Sequence, residues 1–254
     1  MKHKTKLPPI TNKQKLILLI LYKFRFLTIL QLQKYFKHKD PHRIKAWLKD
    51  LKEKGYAYAI TDSKNITKPY IYCLAAKSRY FLQEEGCNED FLSRIYKEKK
   101  LTGTFINHCL FIVDIYLFFS SQQENNSKLN FCTKQDLMGF DYLPEDLDAY
   151  IEVDGKDRYF LELFDEYRQA PGEARFAVRK YIEYSEEGSW QANTENSAFP
   201  TLLFVVADER RRKHLYMYGK AKLAKTFQDI PLFLTTQDAI RFSKDKTNIW
   251  KEAV

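Results

Sequence analysis

Apolar residues recur at helical spacing through the first third of the chain and change to strand-like runs in the last half. Thr11-Asn12-Lys13-Gln14 has the form of a capping box, Thr at the N-cap and Gln at the third helical position. Leu16, Ile17, Leu19, Ile20, Leu21 and Phe24 follow, which predicts a mostly buried helix ending near Arg25. Thr28 to Gln31 is a second capping box. It opens a short helix over roughly 28–37, with Leu32, Tyr35 and Phe36 as core candidates. Asp40-Pro41 pairs a good N-cap with a residue preorganised for the first helical turn, and Gly55 is a natural stop after Lys54. Within 41–54, Ile44, Trp47, Leu48 and Leu51 form one apolar face, and His42, Arg43, Lys45, Lys49 and Lys52 form the other.

Strand-like runs at 56–61 and 69–74 flank the polar segment 62–68, and a further helix is expected from about Ala75 to Gly86. The order helix, helix, helix, hairpin, helix predicts a winged helix-turn-helix. Residues 87–104 are charged and predict a short linking helix. Thr104 to Ser120 then reads as a helix in which His108 is a buried residue rather than a ligand. Beyond the polar stretch 121–128 the period becomes two. Strands are expected near 128–131, 148–153 and 158–164, the last two joined by the turn Asp154-Gly155-Lys156-Asp157. A helix over 172–184, a fully apolar strand over 201–207, a strand at 232–234 and a helix at 236–242 complete the pattern. The fold class is therefore α+β: an N-terminal winged helix-turn-helix over 1–86, a linking segment over 87–104, and a mixed α/β domain over 105–254.

Charge sharpens this division. Residues 1–100 hold 23 Lys or Arg against 9 Asp or Glu, whereas the remainder holds 19 against 24. The net +9 of the chain thus comes from a basic head on a mildly acidic body, which points to a polyanion partner. No run of about 18 apolar residues without charge is expected to span a membrane. The four Cys, at 73, 87, 109 and 132, include no C-x-x-C pair, which argues against a disulfide scaffold or zinc finger. A cytoplasmic location is the matching expectation.

A helix with a basic face suits the major groove of double-stranded DNA. His42, Arg43 and Ala46, near its start, are placed to reach base edges. Lys45, Lys49 and Lys52 would follow phosphates, and Lys64, Asn65 and Lys68 on the 62–68 wing would touch backbone or minor groove. In the second domain, Asp148 opens one strand and Glu162 lies in the next, with Lys180 on the following helix. Two carboxylates on neighbouring strands could hold one Mg²⁺, and a nearby Lys could stabilise charge on a scissile phosphate. That is the logic of a restriction-endonuclease-like PD-(D/E)XK nuclease. The chain departs from it: Leu147 precedes Asp148, and position 164 is Phe rather than Lys, leaving Lys180 or Arg179 to stand in. Arg210 to Lys213 is a second candidate phosphate patch, with a merely solvated helix start as the alternative.

The ordering of these landmarks resembles the replication-relaxation family of plasmid and mobile-element proteins. The matching residues are the N-terminal winged helix, His108-Cys109-Leu110, Asp148-Ala149-Tyr150, Phe160-Leu161-Glu162, Lys180-Tyr181 with Tyr184, and Pro200 to Val206. Relatives carry a second acid two residues after the strand Glu, where this chain has Phe164, with Asp165 one position later. The resemblance implies DNA binding in plasmid replication or mobilisation, or in transcription regulation of mobile-element genes. No cofactor is expected for such a binding protein. The alternatives are a Mg²⁺-dependent endonuclease using Asp148, Glu162 and Lys180, and a winged-helix scaffold for protein contacts. A homodimer and a replication or mobilisation protein stand as candidate protein partners beside DNA; no membrane is expected.

Overall fold

The computed structural model describes residues 7–61, 69–123, 127–170, 172–243 and 248–253. They form two compact units, Met1–Val113 and Asp114–Val254.

The first unit is mainly helical. It runs α1 (Asn12–Phe24), β1 (Leu27–Thr28), α2 (Ile29–Tyr35), α3 (Pro41–Glu53), β2 (Ala57–Ile60), β3 (Ile71–Leu74), α4 (Ser78–Glu84) and α5 (Glu89–Arg94). A 3₁₀ segment, Ile95–Lys100, leads into α6 (Gly103–Gln122). Both capping boxes form. Thr11 and Thr28 accept from the backbones of Gln14 and Gln31, and each glutamine side chain reaches back to its cap. These glutamines are also buried, and each amide spends its N–H on another helix. Gln14 Nε2 donates to Asp50 Oδ2 of α3 at 2.6 Å, and Gln31 Nε2 donates to the Leu110 carbonyl of α6 at 2.8 Å. A local cap thereby fixes a tertiary angle, because a buried amide left half-bonded is costly.

Two further details were not legible in the pattern. A short strand, β1, follows α1 and pairs antiparallel with β3, so the three-stranded sheet has the order β1-β3-β2. Arg25, between α1 and β1, has φ 68 and makes a two-pronged bond to the buried Glu98, Nη2 to Oε1 at 2.6 Å and Nε to Oε2 at 3.0 Å. Its guanidinium lies 4.5 Å from the Phe105 ring centroid. The expected 62–68 wing lies outside the described residues.

In the second unit the strands are β4 (Leu129–Thr133), β5 (Ala149–Val153), β6 (Asp157–Phe164), β7 (Thr201–Val206), β8 (Leu232–Thr236) and β9 (Lys251–Glu252). They form one sheet in sequence order, parallel between β6, β7 and β8 and antiparallel elsewhere. Helices α7 (Glu173–Glu186), α8 (Ser189–Asn193), α9 (Glu209–Leu223) and α10 (Gln237–Phe242) complete the unit. Even-numbered strand residues, Phe160, Phe164, Leu202, Phe204 and Leu232, share a core with Val178 and Tyr181 of α7 and Leu215 of α9. The C-terminal half of α6 covers the other face, where Tyr116 and Phe119 meet Phe131 and Tyr159. Leu202 to Val206 of β7 are buried at odd and even positions alike, which matches its apolar run.

α6 is a 20-residue helix apolar enough, by length and composition, to cross a membrane. Half of that apolar stretch is buried inside the structure, and its Asp114 accepts from Arg241 Nε at 3.2 Å.

At Gly219 of α9 the helix backbone comes close to β8: a Cβ built there would lie 2.8 Å from Leu232 Cδ2, and Leu232 is wholly buried. Gly219→Ala should be near neutral, because a gain of about 1 kcal/mol in helix propensity offsets the push on Leu232. Gly219→Val should cost about 1–3 kcal/mol by overpacking, read as a lower denaturation midpoint with unchanged slope.

Candidate functional site

Asp148, just before β5, stands opposite Glu162 of β6 in the antiparallel register, and its N–H donates to the Leu161 carbonyl at 3.2 Å. The pattern reading that brings these two carboxylates together therefore has a structural counterpart. What lies between them is a guanidinium. Arg168 Nη1 donates to Glu162 Oε2 at 2.6 Å and reaches Asp148 Oδ2 at 3.3 Å, while its Nε donates to Glu173 Oε1 at 2.7 Å. Tyr181 Oη of α7 donates to Glu162 Oε1 at 2.8 Å, and the Leu163 N–H donates to Asp148 Oδ2 at 2.7 Å. Glu162 is 2% exposed.

The local sequence explains how Arg168 reaches this position. β6 ends at Phe164, and Asp165 Oδ1 accepts from the N–H groups of Tyr167 and Arg168 at 2.9 and 3.3 Å. This tight turn folds Arg168 back, and its guanidinium packs 4.7 Å from the Phe164 ring centroid. Phe164 occupies the position where a nuclease of this design would carry Lys. Here it serves as an apolar platform beneath a cation delivered from four residues further on.

Lys180 has a different partner from the one expected. Its Nζ donates to Asp146 Oδ2 at 2.7 Å on a partly exposed edge. Arg179 Nη1 donates to Tyr218 Oη at 2.9 Å. Sequence reading passed over Arg168, Glu173 and the hydroxyl of Tyr181. Their spacings from Glu162 follow no strand period, because a turn brings in Arg168 and a separate helix, α7, brings in Glu173 and Tyr181.

The electrostatics follow from burial. Desolvation raises the Glu162 carboxyl to about 7, opposed by Arg168 and reinforced by Asp148. Tyr181 is raised well above the ordinary phenol range by burial and by Glu162. Arg168 is raised by its carboxylates, so its charge is permanent. A Mg²⁺ ion needs unencumbered oxygens at about 2.0–2.1 Å in octahedral array. Both oxygens of Glu162 already accept from protein donors, and a guanidinium fills the space between the acids. The residues as placed do not fit a divalent metal. Among the described residues no group of three or more His, Cys, Asp or Glu is arranged to hold one.

On α3, Ile44, Leu48 and Leu51 are wholly buried. His42, Arg43, Lys45, Ala46, Lys49 and Lys52 are all exposed, and Trp47 lies between the two classes. Asp40 caps the helix through the His42 N–H at 2.8 Å, and Asp50 pairs with Lys54 at 2.6 Å. Lys49 makes only a loose 3.9 Å contact with Glu53. The basic face thus stays open to solvent. Lys64, Asn65 and Lys68 lie outside the described residues. Of the Arg210–Lys213 cluster in α9, Arg211 and Arg212 pair with Asp208 and Glu209. His108 is buried in α6, as expected.

Two outcomes test the acid cluster. Arg168→Ala should cost about 3–5 kcal/mol in denaturant unfolding, because it strands buried carboxylates; adding Glu162→Gln should recover part of that loss. Strict additivity of the two substitutions would contradict the pairing. The second test is pH. Glu162 holds its proton more tightly folded than unfolded, so its contribution is complete below about pH 4.5 and is lost as pH rises through about 7. The unfolding free energy of the wild type, relative to Glu162→Gln, should fall by on the order of 1–3 kcal/mol between pH 4.5 and 8. A rise over that range would mean that Arg168 and not burial governs this carboxyl.

No curated protein and no solved structure matches the chain. A family model described as replication-relaxation matches residues 18–200, which takes in α3, the Asp148–Glu162–Arg168 cluster and α7. With well over half of its length matched, the chain belongs to the replication-relaxation family.

Proposed function

We propose that this protein is a non-catalytic, sequence-specific binder of double-stranded DNA that acts in plasmid or mobile-element replication or mobilisation, or in control of the genes concerned. Family membership points to the replication or mobilisation theme. The observation that carries the DNA reading is α3: one face is wholly buried through Ile44, Leu48 and Leu51, and the opposite face displays His42, Arg43, Lys45, Ala46, Lys49 and Lys52. A helix held by its apolar face with its cations in water is the form that enters a major groove. The succession of three helices and an antiparallel pair of strands supports a winged helix-turn-helix as the frame. The basic excess of residues 1–100 would supply counterion-release affinity. The Arg168 guanidinium between Asp148 and Glu162 favours a non-catalytic second unit over the endonuclease reading.

The test is a salt-titrated duplex-binding assay with Mg²⁺ present, the DNA then being run on a gel. Tight binding with a steep salt slope and intact DNA is expected. Arg43→Ala should weaken binding and alter site preference, by about 1–3 kcal/mol at the contacted base. Lys49→Ala should weaken all sequences alike and reduce the salt slope by about one. Cleavage that disappears in Glu162→Ala would restore the nuclease reading, and absence of binding at physiological salt would leave α3 as a protein-contact surface.

A further inference from the structure

The positive charge of the second unit is gathered on one helix and its neighbour. Residues 208–225, which include α9, hold 7 Lys or Arg against 2 Asp or Glu, whereas the rest of 101–254 holds 12 against 22. Arg158, Arg168, Lys180, Arg211, Arg212 and Arg241 each meet a carboxylate. Arg175 and Arg179 of α7 and Lys222 of α9 do not: among the described residues no acid pairs with any of the three. They gather instead about one phenol, Tyr218 of α9. The Arg175 guanidinium lies 5.4 Å and Lys222 Nζ 5.9 Å from its ring centroid, and Arg179 Nη1 donates to its Oη at 2.9 Å.

Helical spacing produces the cluster. Arg175 and Arg179 stand four residues apart on α7, and Tyr218 and Lys222 four apart on α9, so each pair shares a helix face. Arg175, Arg179 and Lys222 are exposed and Tyr218 is half-buried. Like charges brought together repel one another, and the packing of α7 and α9 on the sheet uses other residues, Val178, Tyr181 and Leu215. The phenol oxygen already accepts from Arg179, so its own O–H is left to donate. The cluster therefore offers only donors and positive charge. Phe176, beside Arg175, is 55% exposed, and the Arg179 guanidinium lies 5.6 Å from its ring centroid. Rings and cations thus alternate across this surface. Glu183 and Glu186, exposed on the last turns of α7, bound it, and Glu186 Oε1 accepts from Thr226 Oγ1 at 3.3 Å.

We propose that this α7–α9 face binds single-stranded DNA without sequence preference. Phosphates would meet Arg175, Arg179, Lys222 and the Tyr218 O–H, and an unstacked base would lie on the Phe176 ring. Interleaved cations and exposed rings suit a lone strand, because every base has a face to stack. A duplex keeps its base faces within the helix and gives Phe176 nothing to stack on. An acidic peptide would match the charge and leave the ring unused. An anionic bilayer takes up helices by a continuous apolar face, and the apolar faces of α7 and α9 are spent on the sheet. The proposal does not rest on duplex binding by α3, so failure of either leaves the other standing.

The experiment is a salt-titrated anisotropy measurement on the full chain with a labelled oligothymidine of about 15 nucleotides. The double variant Arg175→Ala/Arg179→Ala should bind it at least tenfold more weakly, with the salt slope reduced by about 1.4, two contacts at about 0.7 each. Phe176→Ala should weaken binding about fivefold or more with the slope unchanged, because stacking releases no counterions. All three side chains are exposed, so the unfolding midpoint should stay where it is in both variants. Arg43→Ala should leave oligothymidine binding intact. Unchanged binding in the double variant or in Phe176→Ala would overturn the proposal, as would an equal loss of duplex affinity in the double variant. Loss in Arg43→Ala instead would place the strand on α3. Displacement by polyglutamate or by phosphatidylserine vesicles as effective as by unlabelled oligothymidine would reassign the face to those polyanions.

Discussion

The second unit is organised around a charge it could not otherwise bury. Glu162 sits mid-strand in the face that α7 covers, where an isolated carboxylate would cost several kcal/mol. Arg168, Tyr181 and the proton-holding tendency of the carboxyl together offset that cost. The consequences run outward. The turn after β6 must bend so that Arg168 returns, and Asp165 bends it. Position 164 must be flat and apolar to carry the guanidinium. α7 must present Tyr181 to the strand and Glu173 to Arg168. A single buried acid thereby fixes the strand end, the turn and the helix against one another, and it does so by hydrogen bonds whose geometry tolerates little displacement.

The same logic recurs in the first unit with neutral groups. Gln14 and Gln31 each close a capping box and then bond across to another helix. Because Gln14 bonds to Asp50, and Asp50 also accepts from Lys54, the C-terminal half of α3 is held by polar contacts as well as by Ile44, Leu48 and Leu51. The cations of α3 are left out of these contacts, apart from the loose Lys49–Glu53 pair. A helix fixed by one face and free on the other is a rigid display of charge, the quality that direct readout of a groove requires.

One sheet face also carries three successive rows with different chemistry. The acid pair Asp148 and Glu162 lies under α7, the aromatic row follows, and the polar row Asn130–Glu152–Arg158 reaches the open edge. The gradient follows burial. Cover by α7 demands that charges be neutralised in place, whereas Glu152 and Arg158 are partly exposed and share their 3.3 Å pair with solvent.

Much of the architecture was written in local pattern. Thr11-x-x-Gln14, Thr28-x-x-Gln31 and Asp40-Pro41 placed three helix starts, because caps are short-range interactions between residues two or three apart. The 3.6-residue spacing of Ile44, Leu48 and Leu51 separated the buried and basic faces of α3, and the apolar run over 201–206 marked a strand covered on both sides. The pairing of Asp148 with Glu162 was legible from the hairpin turn between their strands. What the sequence left open was decided by contacts between residues distant or aperiodic along the chain. Nothing in the spacing showed that Arg168 would return to the acids, that Lys180 would turn to Asp146, or that Leu27–Thr28 would join β3. Periodicity reports which side of an element faces the core. Which charge meets which depends on turns and on how far a neighbouring helix extends, and those are properties of the packed whole.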